Sequence, residues 1–284
     1  MIYVSTACLS EKNLKQNLKL FNKLNVKNIE LTGNILYEKN YKKILQNYKF
    51  KHKFNFLIHN YFPIPKKPFM LNLGTENSYL NKKSVDNCLK SIEICNELKL
   101  KKFSVHAPFL VNFKTSEAGK KIKERKISSK SKILKIFKKN FNLLKKYVDY
   151  DLKLYVENNV LSKENFLNFN KQNPLMLTSF KDYDDMRQEV NFMPLLDTGH
   201  LKVSCKTLKL DFTKEFKNFA KYTDFIQVSD NNSLSDQNKK IKYGSLIYKL
   251  LKTLKNKKIT YSIEVYGKMK NFLDTIKTLN RINK

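Results

Sequence analysis

The chain has 284 residues, of which 41% are hydrophobic, enough for one sizeable core, and no run of 18 apolar residues that would span a membrane. No basic segment precedes an apolar stretch at the N-terminus, so no signal peptide is expected and the protein is expected in the cytoplasm. The formal charge of +31 invites a nucleic-acid partner, but only Arg125, Arg187 and Arg281 carry the guanidinium fork that phosphate and base recognition favours; the lysines are spread among many asparagines, as an AT-rich coding bias also produces, so nucleic acid is not expected as the partner.

Strand-like and helix-like segments alternate along the whole chain. A β-branched run at residues 2–7 predicts a strand, and after Ser10 the leucines and Phe21 recur at helical spacing over 11–24. Strand 26–31 leads to a helix at 41–48, and strand 54–59 leads through a long loop to a helix at 84–98. Strand 102–106 leads through a basic stretch to a helix at 133–147. The densest basic block, Lys120 to Lys126 and on through Lys138 to Asn140, reads as a solvated helix face.

Strand 153–157 precedes a short helix at 162–169, and segments 175–178 and 183–189 form a smaller insertion. Strand 192–197 precedes helix 212–222, strand 225–228 precedes helix 243–254, and strand 259–265 precedes helix 271–280. Roughly eight strand–helix units remain when the insertion is set aside, which predicts a single-domain (β/α)8 TIM barrel over residues 1–284; a doubly wound open sheet is the alternative. With six glycines in all, no Gly-rich phosphate loop follows any strand, so nucleotide cofactors are not expected. Cys8, Cys88, Cys95 and Cys205 lack metal-site spacing and are expected to be buried thiols. The loop over 60–83, with three prolines and with Tyr61 and Phe62 near its start, is expected to form a lid over the barrel mouth.

In a barrel, residues that end parallel strands converge on one face however far apart they lie in sequence. Glu30, His59, His106, Glu157, Asp197, Gln227 and Glu264 meet that condition, and with His200 they include three of the four histidines. Glu157, Asp197 and Glu264 offer hard oxygen ligands for a divalent ion, Mn2+, Mg2+, Co2+ or Zn2+, which would offset their mutual repulsion and could polarise a carbonyl. Two glutamates beside a bound carbonyl compound suit proton removal from one carbon and delivery elsewhere, the chemistry of sugar isomerases and epimerases.

Val156-Glu-Asn-Asn159, Leu195-Leu-Asp-Thr-Gly-His-Leu-Lys-Val203, Gln227-Val-Ser-Asp-Asn231 and Ile263-Glu-Val265 resemble the fifth to eighth strand ends of the xylose isomerase-like TIM-barrel superfamily, the sugar phosphate isomerase/epimerase group. Asn28-Ile-Glu-Leu-Thr-Gly33 is similar to its second strand. The resemblance implies a divalent metal held by Glu157, Asp197, Gln227 and Glu264, with Glu157 and Glu264 transferring the proton. Gln227 stands where the family has histidine, and an amide oxygen binds a borderline metal more weakly than imidazole. His200, and with it His59, His106, Asn159 and Asp236, are expected to contact substrate. Asp230 is expected only as a neighbour, and Glu30 is ranked below the others as a possible partner of a nearby lysine.

A more distant resemblance, to endonuclease IV-type abasic-site nucleases, covers His59, His106, Glu157, Asp197, His200, Asp236 and Glu264. Gln227 and Asn238 replace two of that family's histidines, which would leave a three-zinc cluster short of ligands. The expectation is therefore a metal-dependent sugar isomerase or epimerase, acting on a small sugar or polyol and forming homo-oligomers as the family often does. The alternatives are an abasic-site nuclease and a metal-free sugar-binding barrel.

Overall fold

In the computed structural model, residues 1–9, 13–124 and 126–282 are described; the expected helix start at Ser10 and Glu11, and Arg125, lie outside them. Eight parallel strands close into one barrel in chain order: β1 (Ile2–Ser5), β2 (Asn28–Leu31), β3 (Asn55–His59), β4 (Lys102–His106), β5 (Lys153–Glu157), β6 (Met193–Asp197), β7 (Phe225–Val228) and β8 (Thr260–Ile263). Closure is made by β1 on β8, with Ile2 opposite Tyr261 and Val4 opposite Ile263. The (β/α)8 expectation holds, and the open sheet is excluded because both edges are paired.

Strand alternation explains the layering. Outward residues such as Val4, Ile29, Ile58, Val105, Val156, Ile226 and Ile263 join the main core beneath the helices. Inward residues divide by height: Tyr3, Leu57, Tyr155, Leu195 and Phe225 pack together as an apolar floor. One pleat higher, Ser5, Glu30, His59, Ser104, Glu157, Asp197, Gln227 and Ser262 are all buried and all polar. Below the floor, Lys102 Nζ lies 2.6 Å from Asp224 Oδ1 and 2.5 Å from the Tyr155 hydroxyl, so its charge is paired. A barrel interior that is apolar below and polar above places the chemistry at the C-terminal mouth.

The outer layer contains α1 (Leu14–Lys23), α2 (Tyr41–Phe50), α3 (Ser78–Glu97), α4 (Lys130–Lys145), α5 (Lys163–Asn168), α6 (Phe180–Glu189), α7 (Thr198–Leu208), α8 (Phe212–Phe219), α9 (Leu246–Lys252) and α10 (Met269–Asn280). Three sequence expectations change. Residues 183–189 belong to α6, which packs on α4 and α8 and so sits in the helical ring; α5 is the added element. Helix α7 was not expected at all: it starts directly where β6 ends.

The basic block is also not one helix face. Residues 120–124 and 126–129 are irregular, and backbone groups there are taken elsewhere: Ile122 N donates to Asn165 Oδ1, and Ser128 N to Leu110 O. Only from Lys130 does the block form a helix with exposed lysines, buried Ile133 and Phe137 facing inward. The four cysteines are buried free thiols, as expected.

Candidate active site

The upper polar ring forms because successive strands end on residues of the same height: Glu157 follows Val156 across from Pro194, and Asp197 lies opposite Gln227 in the β6–β7 register. Glu157 is its centre. His59 Nε2 is 3.0 Å from Glu157 Oε2, His106 Nδ1 is 3.5 Å from the same oxygen, and His200 Nδ1 is 3.0 Å from Oε1. The His106 ring lies 5.3 Å from that of His59 and 6.0 Å from that of His200. The fourth histidine, His52, stacks on Tyr48 away from the mouth.

Each neighbour is held in place. His59 Nδ1 lies 2.8 Å from Ser104 Oγ, and His200 Nε2 is 3.3 Å from Asp236 Oδ2. Asp197 Oδ1 accepts a 2.7 Å hydrogen bond from His200 N and so caps α7. Asn158 accepts from Asp197 N at 2.7 Å and donates to Asp197 O at 3.1 Å, fixing the β6 end. Tyr266 donates its hydroxyl to Glu264 Oε1 at 2.9 Å. Ser104, Asn158 and Tyr266 escaped the sequence reading because neutral side chains that orient others carry no signature of spacing or charge.

Gln227 departs from the expectation in a specific way. Its Nε2 donates to Glu30 Oε2 at 3.0 Å, and Ser262 Oγ donates to the same oxygen at 2.6 Å. Among the described residues Glu30 therefore pairs with no lysine: it is fully buried in the ring and holds the Gln227 amide. Asn238, the other position lacking an expected histidine, donates to Asp236 Oδ2 at 3.3 Å. Asp230 accepts from Lys202 at 2.5 Å, outside the cavity. Asn159 lines the cavity, but its Nδ2 donates to Met176 O at 2.8 Å and Ala107 O at 3.1 Å, so it braces two loops.

The cavity above the ring measures about 500 Å3 and is lined by His59, His106, Glu157, His200, Asp236 and Glu264 among others. Its wall comes mainly from the β4–α4 connection, through Phe109, Phe113, Glu117 and Ile122; the expected lid at 60–83 contributes Asn60 and Met70. Tyr61 packs on Phe69, and Phe62 is buried against Tyr41 with rings 5.8 Å apart, so neither covers the mouth. Packing needs claimed those two aromatics.

Electrostatics follow from burial of so many ionisable groups. Burial opposes ionisation of Glu157, but charge from His106 and His59 and the hydrogen bond from His200 outweigh it and hold the carboxyl well below its usual range. Glu264 is pushed up to about 8 by burial and then by Glu157. Asp197 is pushed up to about 7, chiefly by burial, with His200 opposing. Burial would lower His59, yet Glu157 raises it to about 9; His106 is lowered to about 4 by burial.

The donor set fits a divalent cation. His59, His106 and Glu157 bring ligand atoms within 4.8 Å of one another, as do Glu157, Asp197 and His200. Moreover Asp197 Oδ2 and Gln227 Oε1 are buried oxygens that accept no hydrogen bond, and a buried acceptor left so is costly unless a cation or a water meets it.

No family model matches the chain, and no curated protein is significantly similar to it. Solved structures do match over its length. A D-tagatose 3-epimerase-like protein superposes with a TM-score of 0.73 at 16% identity, covering 99% of this chain and 96% of the other. The D-psicose 3-epimerase of Clostridium cellulolyticum gives 0.66 at 12%, covering 99% and 95%. Endonuclease IV from Thermus thermophilus gives 0.60 at 13%, covering 99% and 98%. At these identities the superpositions show a shared fold, the closed (β/α)8 barrel, over the length of the chain.

Proposed function

We propose that the protein is a divalent-metal-dependent isomerase or epimerase of a sugar or sugar derivative, working by proton transfer between Glu157 and Glu264. The observation that carries this reading is the pair of unsatisfied buried oxygens on neighbouring strands, Asp197 Oδ2 and Gln227 Oε1, in the same buried ring as the carboxylate of Glu157. With Glu157, these residues make three of the four that the sequence resemblance names as metal ligands. The likeness of fold to two sugar 3-epimerases supports the same class.

Glu157, Asp197, Gln227 and Glu264 would hold the ion, which when bound supplies a positive charge that polarises a substrate carbonyl. Glu157, ionised and flanked by three histidines, is suited to take a proton from the carbon beside that carbonyl. Glu264 lines the same cavity and its Oε1 accepts a hydrogen bond from Tyr266, so it is placed to exchange a proton from the other side of a bound carbonyl compound. His106 stands 3.5 Å from Glu157 as a hydrogen-bonding group for a substrate oxygen, and His200, held between Glu157 and Asp236, fixes the Glu157 carboxylate.

The test is proton–deuterium exchange into a panel of ketoses, with each of Mn2+, Mg2+, Co2+ and Zn2+, alongside metal analysis of the purified protein. Exchange is expected with at least one ion and lost in both Glu157→Gln and Glu264→Gln. Failure of the wild type with every ion would overturn the isomerase reading, and survival of exchange in both variants would overturn the assigned roles.

A further inference from the structure

Half of the cavity is unused by this proton-transfer chemistry. One side is walled by Met70, Phe109, Phe113, Ile122 and Leu175, all members of a single apolar cluster separate from the main core. The Phe109 ring lies 6.3 Å from that of His106 and 5.0 Å from that of Phe113. The apolar wall therefore begins at the edge of the reactive ring and continues away from it. A cavity of about 500 Å3 falls in the range that encloses drug-sized ligands, and a single sugar ring would leave much of it to water.

Polar side chains in that half are already engaged with the backbone. Asn165 accepts from Ile122 N and donates to Lys120 O, both at 2.9 Å. Glu117 accepts from Lys114 N at 2.8 Å and Lys123 N at 3.3 Å. Lys120 and Glu164, which also line this half, are exposed. Away from the exposed Lys120 and Glu164, a second sugar ring would have to bring hydroxyls out of water against the apolar wall, at a cost for each one unpaired. An apolar group instead gains by covering the two phenylalanine rings.

Resting on the sugar isomerase/epimerase reading, we infer that the substrate is a sugar derivative bearing an apolar, preferably aromatic, substituent, which the wall of Met70, Phe109, Phe113, Ile122 and Leu175 recognises. The reactive carbonyl end then lies over Glu157 and Glu264 while the substituent lies along the phenylalanines.

Calorimetric binding of D-fructose, 6-O-methyl-D-fructose and 6-O-benzyl-D-fructose to the Mn2+-supplemented protein tests this. The benzyl ether is expected to bind at least tenfold more tightly than the methyl ether, and the ratio is expected to fall to about one in Phe113→Ala and in Phe113→Gln. Equal affinities in the wild type, or an advantage that survives in both variants and in Phe109→Ala, would overturn the inference. Sugar that exchanges its proton but shows no benzyl preference would leave the isomerase reading standing and remove only the substituent. Binding of none of the three sugars would overturn both.

Discussion

Gln227 is the residue on which metal preference turns. Its amide nitrogen is committed to Glu30, which leaves the oxygen as the only ligand it can offer. An imidazole at this position would be a better donor to a borderline ion, and Glu30 could accept its second N–H, the arrangement that orients metal-bound histidines elsewhere. Gln227→His is therefore expected to raise Zn2+ or Mn2+ affinity by about tenfold or more, within the range of changes in a metal's surroundings; calorimetry reading no gain would show that residue 227 meets no ion. Titration offers a second check. Glu264, Asp197 and His59 each bind a proton more tightly folded, to about 8, about 7 and about 9, than their ordinary values of 4.5, 3.8 and 6.5. The folded state then carries more protons than the unfolded one, so stability falls as pH rises. The acids contribute to this fall up to about pH 8 and His59 from about 6.5 to about 9, and all three overlap near neutrality. The melting temperature of chelator-treated protein is expected to drop from about pH 6.5 to about 8, less steeply in Glu264→Gln; a flat or rising profile would contradict the burial of these charges. Most of the ring could be read from the sequence because titratable residues at strand ends are visible there. Glu30 was misjudged because its partners, Gln227 and Ser262, come from the far side of the barrel, 197 and 232 residues away.

At the scale of elements, β4, β5 and β7 have the bounds their apolar runs predict, since a strand buried on both faces shows in sequence as a continuous hydrophobic segment. Helix α7 did not show, because Asp197 ends β6 and caps α7 at once, leaving no loop to mark a boundary. Gly199 belongs to the same junction: a Cβ there would collide with Ser229 Oγ and crowd Asp197 Oδ1 at 3.3 Å. Asp197 thus has two separable duties. Asp197→Asn keeps a competent cap and is expected to retain stability while losing ion affinity. Asp197→Ala loses both and is expected to cost about 1–2 kcal/mol of stability through the missing cap. Equal melting temperatures for the two variants would refute the capping role. The lid expectation failed for a related reason: proline and aromatic content reveals that a loop is irregular, whereas what it packs against depends on elements distant in sequence, here Tyr41 for Phe62.

For the whole molecule, the excess of 56 Lys and Arg over 25 Asp and Glu dominates the surface. Ion pairs such as Lys42 with Glu93 and Glu97, or Lys240 with Asp274, engage carboxylates but leave the net charge of +31 unchanged. The remaining lysines repel one another. Raising ionic strength from about 0.01 M to about 0.15 M shortens the screening length from roughly 30 Å to roughly 8 Å, so the melting temperature is expected to climb with NaCl; a fall would mean that attractive pairs outweigh the excess charge. The barrel interior works on another principle. Its floor of Tyr3, Leu57, Tyr155, Leu195 and Phe225 packs as one apolar cluster, and the ring one pleat higher carries the buried ionisable groups. Inheritance and engineering can treat the two storeys as separate modules: the floor is free to drift among apolar fillings of equal volume, and a library confined to the upper ring explores new reactions on foundations it does not disturb.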